Sequence, residues 1–191
     1  MTGRFSLWVL VALVTMSLSA CGGATAVQPT PTNDAMAHML HPTTSAADLA
    51  LPYDVRFIDG MMMHHLAAID MSNAALQYAA DPNVKALATA IIKDQSTEVT
   101  QLRDWRASWY PDAPMTAGTG ADMGAMEVSS DSAIAYDVRW LNAMIDHHKG
   151  AVTMATEALS KAEHPELKTL ATAIISAQTH EIEQMQGMLP K

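Results

Sequence analysis

Displaced by 83 positions, the sequence lies over itself. Asp54-Val55-Arg56 falls on Asp137-Val138-Arg139, Met61 on Met144, His64-His65 on His147-His148, Met71 on Met154 and Pro82 on Pro165. Leu87 to Ile92 falls on Leu170 to Ile175, and Gln95 and Glu98 fall on Gln178 and Glu181. A direct count gives 22 identities over the 49 positions from 54 to 102, without a gap. A repeat of this kind means one structural unit used twice.

Each unit reads as two helices. In the first, apolar positions run Phe57, Met61, His64, Ala68, Met71, Ala75, Tyr78 in steps of four and three, the stripe of a helix facing a bundle core. Asp81-Pro82 breaks it, with Asp81 suited to cap the next helix and Pro82 to open it. The second stripe is Val84, Leu87, Ile91, Gln95, Glu98, Leu102, Trp105. The other unit gives Trp140, Met144, His147, Ala151, Met154, Ala158, a break at His164-Pro165, then Leu167, Leu170, Ile174, Gln178 or Ala177, Glu181, Met185, Met188. The expected fold is all-α, an antiparallel four-helix bundle of two duplicated hairpins, with helices near 52–80, 82–109, 132–163 and 165–189. The bundle is expected to occupy residues 51–191 as repeats 52–109 and 132–189. The linker 110–131, rich in Pro, Gly, Ala and Met, is longer than an up-down-up-down bundle needs and reads as disordered.

The N-terminus carries export signals. Arg4 precedes an apolar run from Phe5 to Met16, followed by Leu18-Ser19-Ala20-Cys21. That tetrapeptide resembles the bacterial lipobox, so residues 1–20 are expected to be a signal peptide and Cys21 the lipidated residue. The mature protein would then be extracytoplasmic and held to a membrane by its lipid. Residues 21–50 read as a flexible tether containing Met36, His38, Met39 and His41, with ordered structure starting near Pro52. Cys21 is the single cysteine, which excludes an intrachain disulfide and, once lipidated, any thiolate ligand. A net charge of −9 without a basic stripe argues against nucleic acid as a partner.

Polar residues inside the stripes mark the candidate site. His64 stands 17 residues before Asp81 and Glu98 17 after it; His147 and Glu181 stand equally far from His164. Residues equidistant from a turn share a height, so each hairpin is expected to set its His beside its Glu. With the two-fold along the bundle axis, both pairs would share one layer. A carboxylate that orients an imidazole commonly supports a metal-bound histidine, and Glu98, Glu181, Gln95 and Gln178 are assigned that supporting role. The competing reading is a polar packing layer. His64 and His147 are expected to face the interior, and His65 and His148 a helix interface or the surface, since adjacent helical residues diverge by about 100°.

The candidate metal ligands are therefore His64, His65, His147, His148, Met61, Met144, Met71 and Met154. Met61 and Met144 would lie one turn above the histidine layer, towards an open bundle end from which both tether and linker emerge. Imidazole with thioether, in a chain holding 15 methionines, favours Cu(I) or Ag(I) over Zn(II). Met36/Met39, Met123/Met126 and Met185/Met188 repeat a Met-x-x-Met spacing, and Met115 adds a further thioether to the linker.

The run Met61-x-x-His64-His65-x-x-Ala68-Ile69-x-Met71, with Gln95-x-x-Glu98-Val99, Trp105 and Gln178-x-x-Glu181-Ile182-x-x-Met185, resembles the domain of unknown function 305 family over residues 52 to 189. The resemblance implies a ferritin-like bundle, export, and, from some members, copper or silver binding. The chain departs from the pattern between its own repeats: Met188 stands where the first repeat has Trp105, and Ala143 where it has Gly60. A di-iron oxidase would need Glu-x-x-His motifs, and the chain has none, so no enzyme activity is expected. A metal-free envelope scaffold is the remaining alternative.

Overall fold

The computed structural model describes residues 44–119, 121 and 123–190. The expected signal peptide, Cys21, Met36, His38, Met39 and His41 lie outside the described residues. Among the described residues there are five helices and no strand: α1 (Ala46–Leu49), α2 (Tyr53–Tyr78), α3 (Pro82–Trp109), α4 (Tyr136–Lys161) and α5 (Pro165–Met188). Ordered structure starts earlier than Pro52. Ser45 and Asp48 form a reciprocal capping box that supports the short helix α1.

The hairpin turns follow the sequence signals. Asp81 accepts from the Asn83 N–H at 2.8 Å, and Pro82 and Pro165 begin their helices, where a missing N–H costs nothing. The stripes are the buried faces, with five exceptions: Tyr78 is exposed, and Glu98, Trp105, Glu181 and Met188 are half-buried. Gln178, not Ala177, is the buried member of its pair.

How the hairpins meet differs from the axial two-fold expected. Asp54, at the start of α2, accepts from the backbone N–H groups of Glu163 and His164 in the α4–α5 turn, at 2.9 and 3.0 Å. Asp137, at the start of α4, accepts from Ala80 and Asp81 in the α2–α3 turn, both at 2.9 Å. Each hairpin thus begins where the other turns, so α2 and α4 run antiparallel and the pseudo-two-fold is perpendicular to the bundle axis. The Trp140 indole donates to the Met71 carbonyl at 3.1 Å, holding this central pair together. Each bundle end carries one turn and one pair of helix termini, so neither is open.

Under this topology the linker must run the length of the bundle, about 39 Å for a 26-residue helix. It is a strap in contact with the helices, not the disordered segment its composition suggested. Buried Arg106 donates to Asp59 Oδ1 at 2.9 Å and to the carbonyls of Tyr110, Ala113 and Pro114, while Thr116 N–H donates to Asp59 Oδ2 at 3.0 Å. The strap then crosses the middle of the α2–α4 face. Ala121 and Met123 pack on one core cluster, Ala125 and Val128 on the other. One long crossover between hairpins is the connection of ferritin-like bundles.

Candidate metal-binding layer

A perpendicular two-fold superposes heights only at mid-bundle, and the His-His pairs stand there. The His64 and His147 rings meet with centroids 3.6 Å apart and planes tilted by 40°. All four imidazoles are fully buried. Of the two alternatives expected for His65 and His148, the helix interface and the surface, both lie at the interface between the helices of their own hairpin and neither at the surface.

The carboxylate partners are also reassigned. His65 Nε2 lies 2.7 Å from Glu98 Oε2, off the line of a ring N–H hydrogen bond, and His148 Nε2 lies 2.8 Å from Glu181 Oε2. The turn-distance reasoning found the right height, but it took the first histidine of each pair where the second is correct. One residue shifts height by only about 1.5 Å yet rotates the side chain by about 100°, so rotation decides the partner. Glu98 and Glu181 retain 21 % and 16 % side-chain exposure, so these carboxylates sit at the edge of the core and reach water. His64 has a different partner, the carbonyl of Met123 on the strap, 3.0 Å from its Nε2. Nothing in a single sequence marks that contact, because it is made by backbone.

The hydrogen bonds fix the chemistry of the rings. Carbonyl and carboxylate oxygens only accept, so Nε2 carries the proton in His64 and His148, and the Glu98 contact favours the same form in His65. In His64 the lone pair of the neutral ring is then on Nδ1; this atom has no partner in His64, His65 or His148, and neither nitrogen of His147 has one. The amides of Gln95 and Gln178, buried in the same stripes, are also unpartnered. Such a concentration of unpaired buried polar atoms is rare in a folded core. Burial, reinforced by His65 and His148, lowers the His64 pKa to about 3, against the opposing pull of the Met123 and His147 backbone. Burial likewise holds His147 well below the ordinary histidine value, with His64 the next cause. Both are neutral near pH 7 and can offer lone pairs.

Met61, Met144, Met71 and Met154 are all buried, but they flank the layer on both sides. Met61 packs with Met154 in one core cluster, Met144 with Met71 in the other. Met61 and Met144 therefore do not form one ring above the layer: the perpendicular two-fold sends them to opposite sides, each about 4.5 Å from it at three residues' rise. Met115 is exposed, Met123 and Met126 are half-buried on the strap, and Met185 and Met188 lie at the end of α5. Among the described residues, no three or more His, Cys, Asp or Glu side chains stand together as a preformed chelate. The layer offers soft and neutral donors instead.

Comparison with known proteins places this geometry in context. The family model described as Domain of unknown function (DUF305) matches residues 54–189. CopM in its Cu(I)-bound form is 35 % identical, with a TM-score of 0.59 over 71 % of this chain and 94 % of that one. CopM in its Cu(II)-bound form is 36 % identical, with a TM-score of 0.62 over 72 % and 97 %. A putative secreted DUF305 protein from Streptomyces coelicolor shares the fold at 22 % identity and a TM-score of 0.60, over 72 % of this chain and 92 % of its own. Uncharacterized protein L153 of Acanthamoeba polyphaga mimivirus is 42 % identical over 53 residues, which is 28 % of this chain and 35 % of that protein.

Proposed function

This chain belongs to the DUF305 family, and from that premise we propose that it is an exported lipoprotein binding Cu(I) or Ag(I), for sequestration or transfer in the cell envelope. The observation that carries the reading is the His64–His147 contact: two fully buried, neutral imidazoles with unpartnered nitrogens, flanked by buried thioethers. Copper is here the cargo. Stripping an ion of water costs more as its charge rises, so neutral donors in a low-dielectric core suit a monovalent soft ion better than a divalent one. CopM, solved with Cu(I), Cu(II) and Ag, supports the same direction.

Anaerobic Cu(I) titration of the chain from residue 22 onward, against a competing chelator, tests the proposal. Replacing both His64 and His147 with Ala is expected to weaken the tightest binding at least 100-fold while helical circular dichroism persists. Unchanged affinity in that folded variant refutes it. The competing reading is a metal-free scaffold whose histidines only specify packing, favoured by the absence, among the described residues, of a preformed His/Cys/Asp/Glu chelate. It predicts no Cu(I) retention by the native chain.

The envelope location rests on the lipobox-like Leu18-Ser19-Ala20-Cys21. No helix among the described residues is long and apolar enough to cross a membrane, so on this proposal anchoring falls to the lipid on Cys21. Cys21→Ser is expected to move the protein from the membrane to the soluble fraction. Its retention in the membrane fraction would mean that Cys21 is not the anchor.

A further inference from the structure

The two repeats are nearly interchangeable in sequence at the layer, yet their central histidines are not equivalent. His64 Nε2 is hydrogen-bonded to the Met123 carbonyl at 3.0 Å, and both nitrogens of His147 are without a partner. Only an element that breaks the two-fold can cause this, and the strap crosses the layer on one face.

The strap is seated closely at that crossing. Gly124 has φ +67°, and a Cβ on it would come within 2.2 Å of the Asp146 carbonyl oxygen; a Cβ on Gly150 would stand 2.3 Å from the Met123 carbonyl oxygen. Both distances are impossible, so glycine is required on each side of the contact. The repeat makes this specific: the partner of Gly150 in the first unit is Ala67, which carries the Cβ that Gly150 lacks.

We propose that the strap is the positioning element of the histidine layer: the Met123 carbonyl, seated by Gly124 on Gly150, holds His64 in one tautomer with Nδ1 as its lone-pair atom, and leaves His147 adaptable. In metal binding this makes His64 the fixed ligand and His147 the one that reorients, an assignment that rests on the proposed function. The tautomer inequality itself does not.

Long-range proton–nitrogen correlation of the imidazoles in the metal-free, 15N-labelled chain at pH 7.5 reads it directly. His64 is expected to show a protonated Nε2 and an unprotonated Nδ1, and His147 averaged nitrogens. Gly150→Ala, which pushes Met123 away, is expected to make His64 average like His147 and to speed exchange of its ring N–H at least tenfold. Gly124→Ala, which makes the same clash from the strap side, is expected to do the same without substituting a helix residue. Gly187→Ala, where an added Cβ meets nothing within 4 Å, should leave both rings unchanged. Identical averaging of His64 and His147 in the wild type overturns the proposal, even if neither strap variant folds. So does a His64 signal unmoved in folded Gly150→Ala and Gly124→Ala proteins. Cu(I) titration of the same samples separates the two readings. Unequal tautomers without Cu(I) binding remove the metal assignment and leave the strap's role; Cu(I) binding with equal tautomers removes the strap's role alone.

Discussion

Asp54 and Asp137 open the duplicated Asp-Val-Arg tripeptide, and each secures the turn of the hairpin it does not belong to. The following arginines repeat each other as well: Arg56 donates to the Leu51 carbonyl and lies over the Tyr53 ring, and Arg139 donates to the Ile134 carbonyl and lies over Tyr136. The identity of this motif was visible in the sequence, but its purpose was not, because each aspartate's partners lie on the other hairpin, 56 to 110 residues away. The two caps are not equal. Asp54 is fully buried and also accepts from His164 Nδ1 at 2.7 Å, with Trp109 stacked on that imidazole at 3.9 Å. Asp137 serves two N–H groups nearer to solvent. Asp54→Ala is therefore expected to cost about 2–3 kcal/mol of unfolding free energy and Asp137→Ala about 1 kcal/mol, measured by urea denaturation. Equal losses would mean that the extra contacts of Asp54 contribute nothing.

At the scale of elements, sequence periodicity was a sound guide within each hairpin and silent between them. Stripes, breaks and heights follow from 3.6 residues per turn and from proline, so all four long helices were legible. The orientation of one hairpin on the other depends on tertiary contacts, and the repeat is compatible with either two-fold. The one sequence feature that bore on it was the long linker, whose Pro, Gly and Ala content suggested disorder. Composition misled there because the strap is ordered by partners on the helices: Asp59 and Arg106, which have no counterparts in the second unit, where Asn142 and Leu189 stand instead. Arg106→Ala leaves the Asp59 carboxylate buried without its cation and is expected to destabilise the protein by about 3–5 kcal/mol. Asp59→Asn combined with Arg106→Met removes both charges and is expected to recover more than half of that loss. A double variant as unstable as the single one would show that the strap's attachment depends on the hydrogen bonds of Arg106, not on pairing the charge.

The whole molecule is organised about the plane where its two halves meet, and that plane is polar. Two core clusters, one on each side, sandwich the histidines, so unfolding exposes the His64 and His147 imidazoles, which the native state keeps neutral. An unfolded histidine titrates near 6.5, whereas burial keeps His64 down to about 3 and His147 also well below its ordinary value. Above pH 6.5 neither state binds protons at these sites, and their neutrality costs nothing. Below it the unfolded chain takes up protons that the native layer refuses, so stability falls as pH falls, by up to about 1.4 kcal/mol per pH unit for each histidine. The window runs from 6.5 downwards, and its upper part lies above the ordinary titration range of carboxylates, near 4.3. Metal-free protein unfolded in urea at pH 7.5, 6.0 and 5.0 should therefore lose stability progressively. The His64→Leu, His147→Leu double variant should be less pH-sensitive over the same range, because two of the protons taken up on unfolding are gone. Parallel profiles for the two proteins would mean that the central pair titrates in the folded state, which would require water in the layer and refute the closed, neutral site described here.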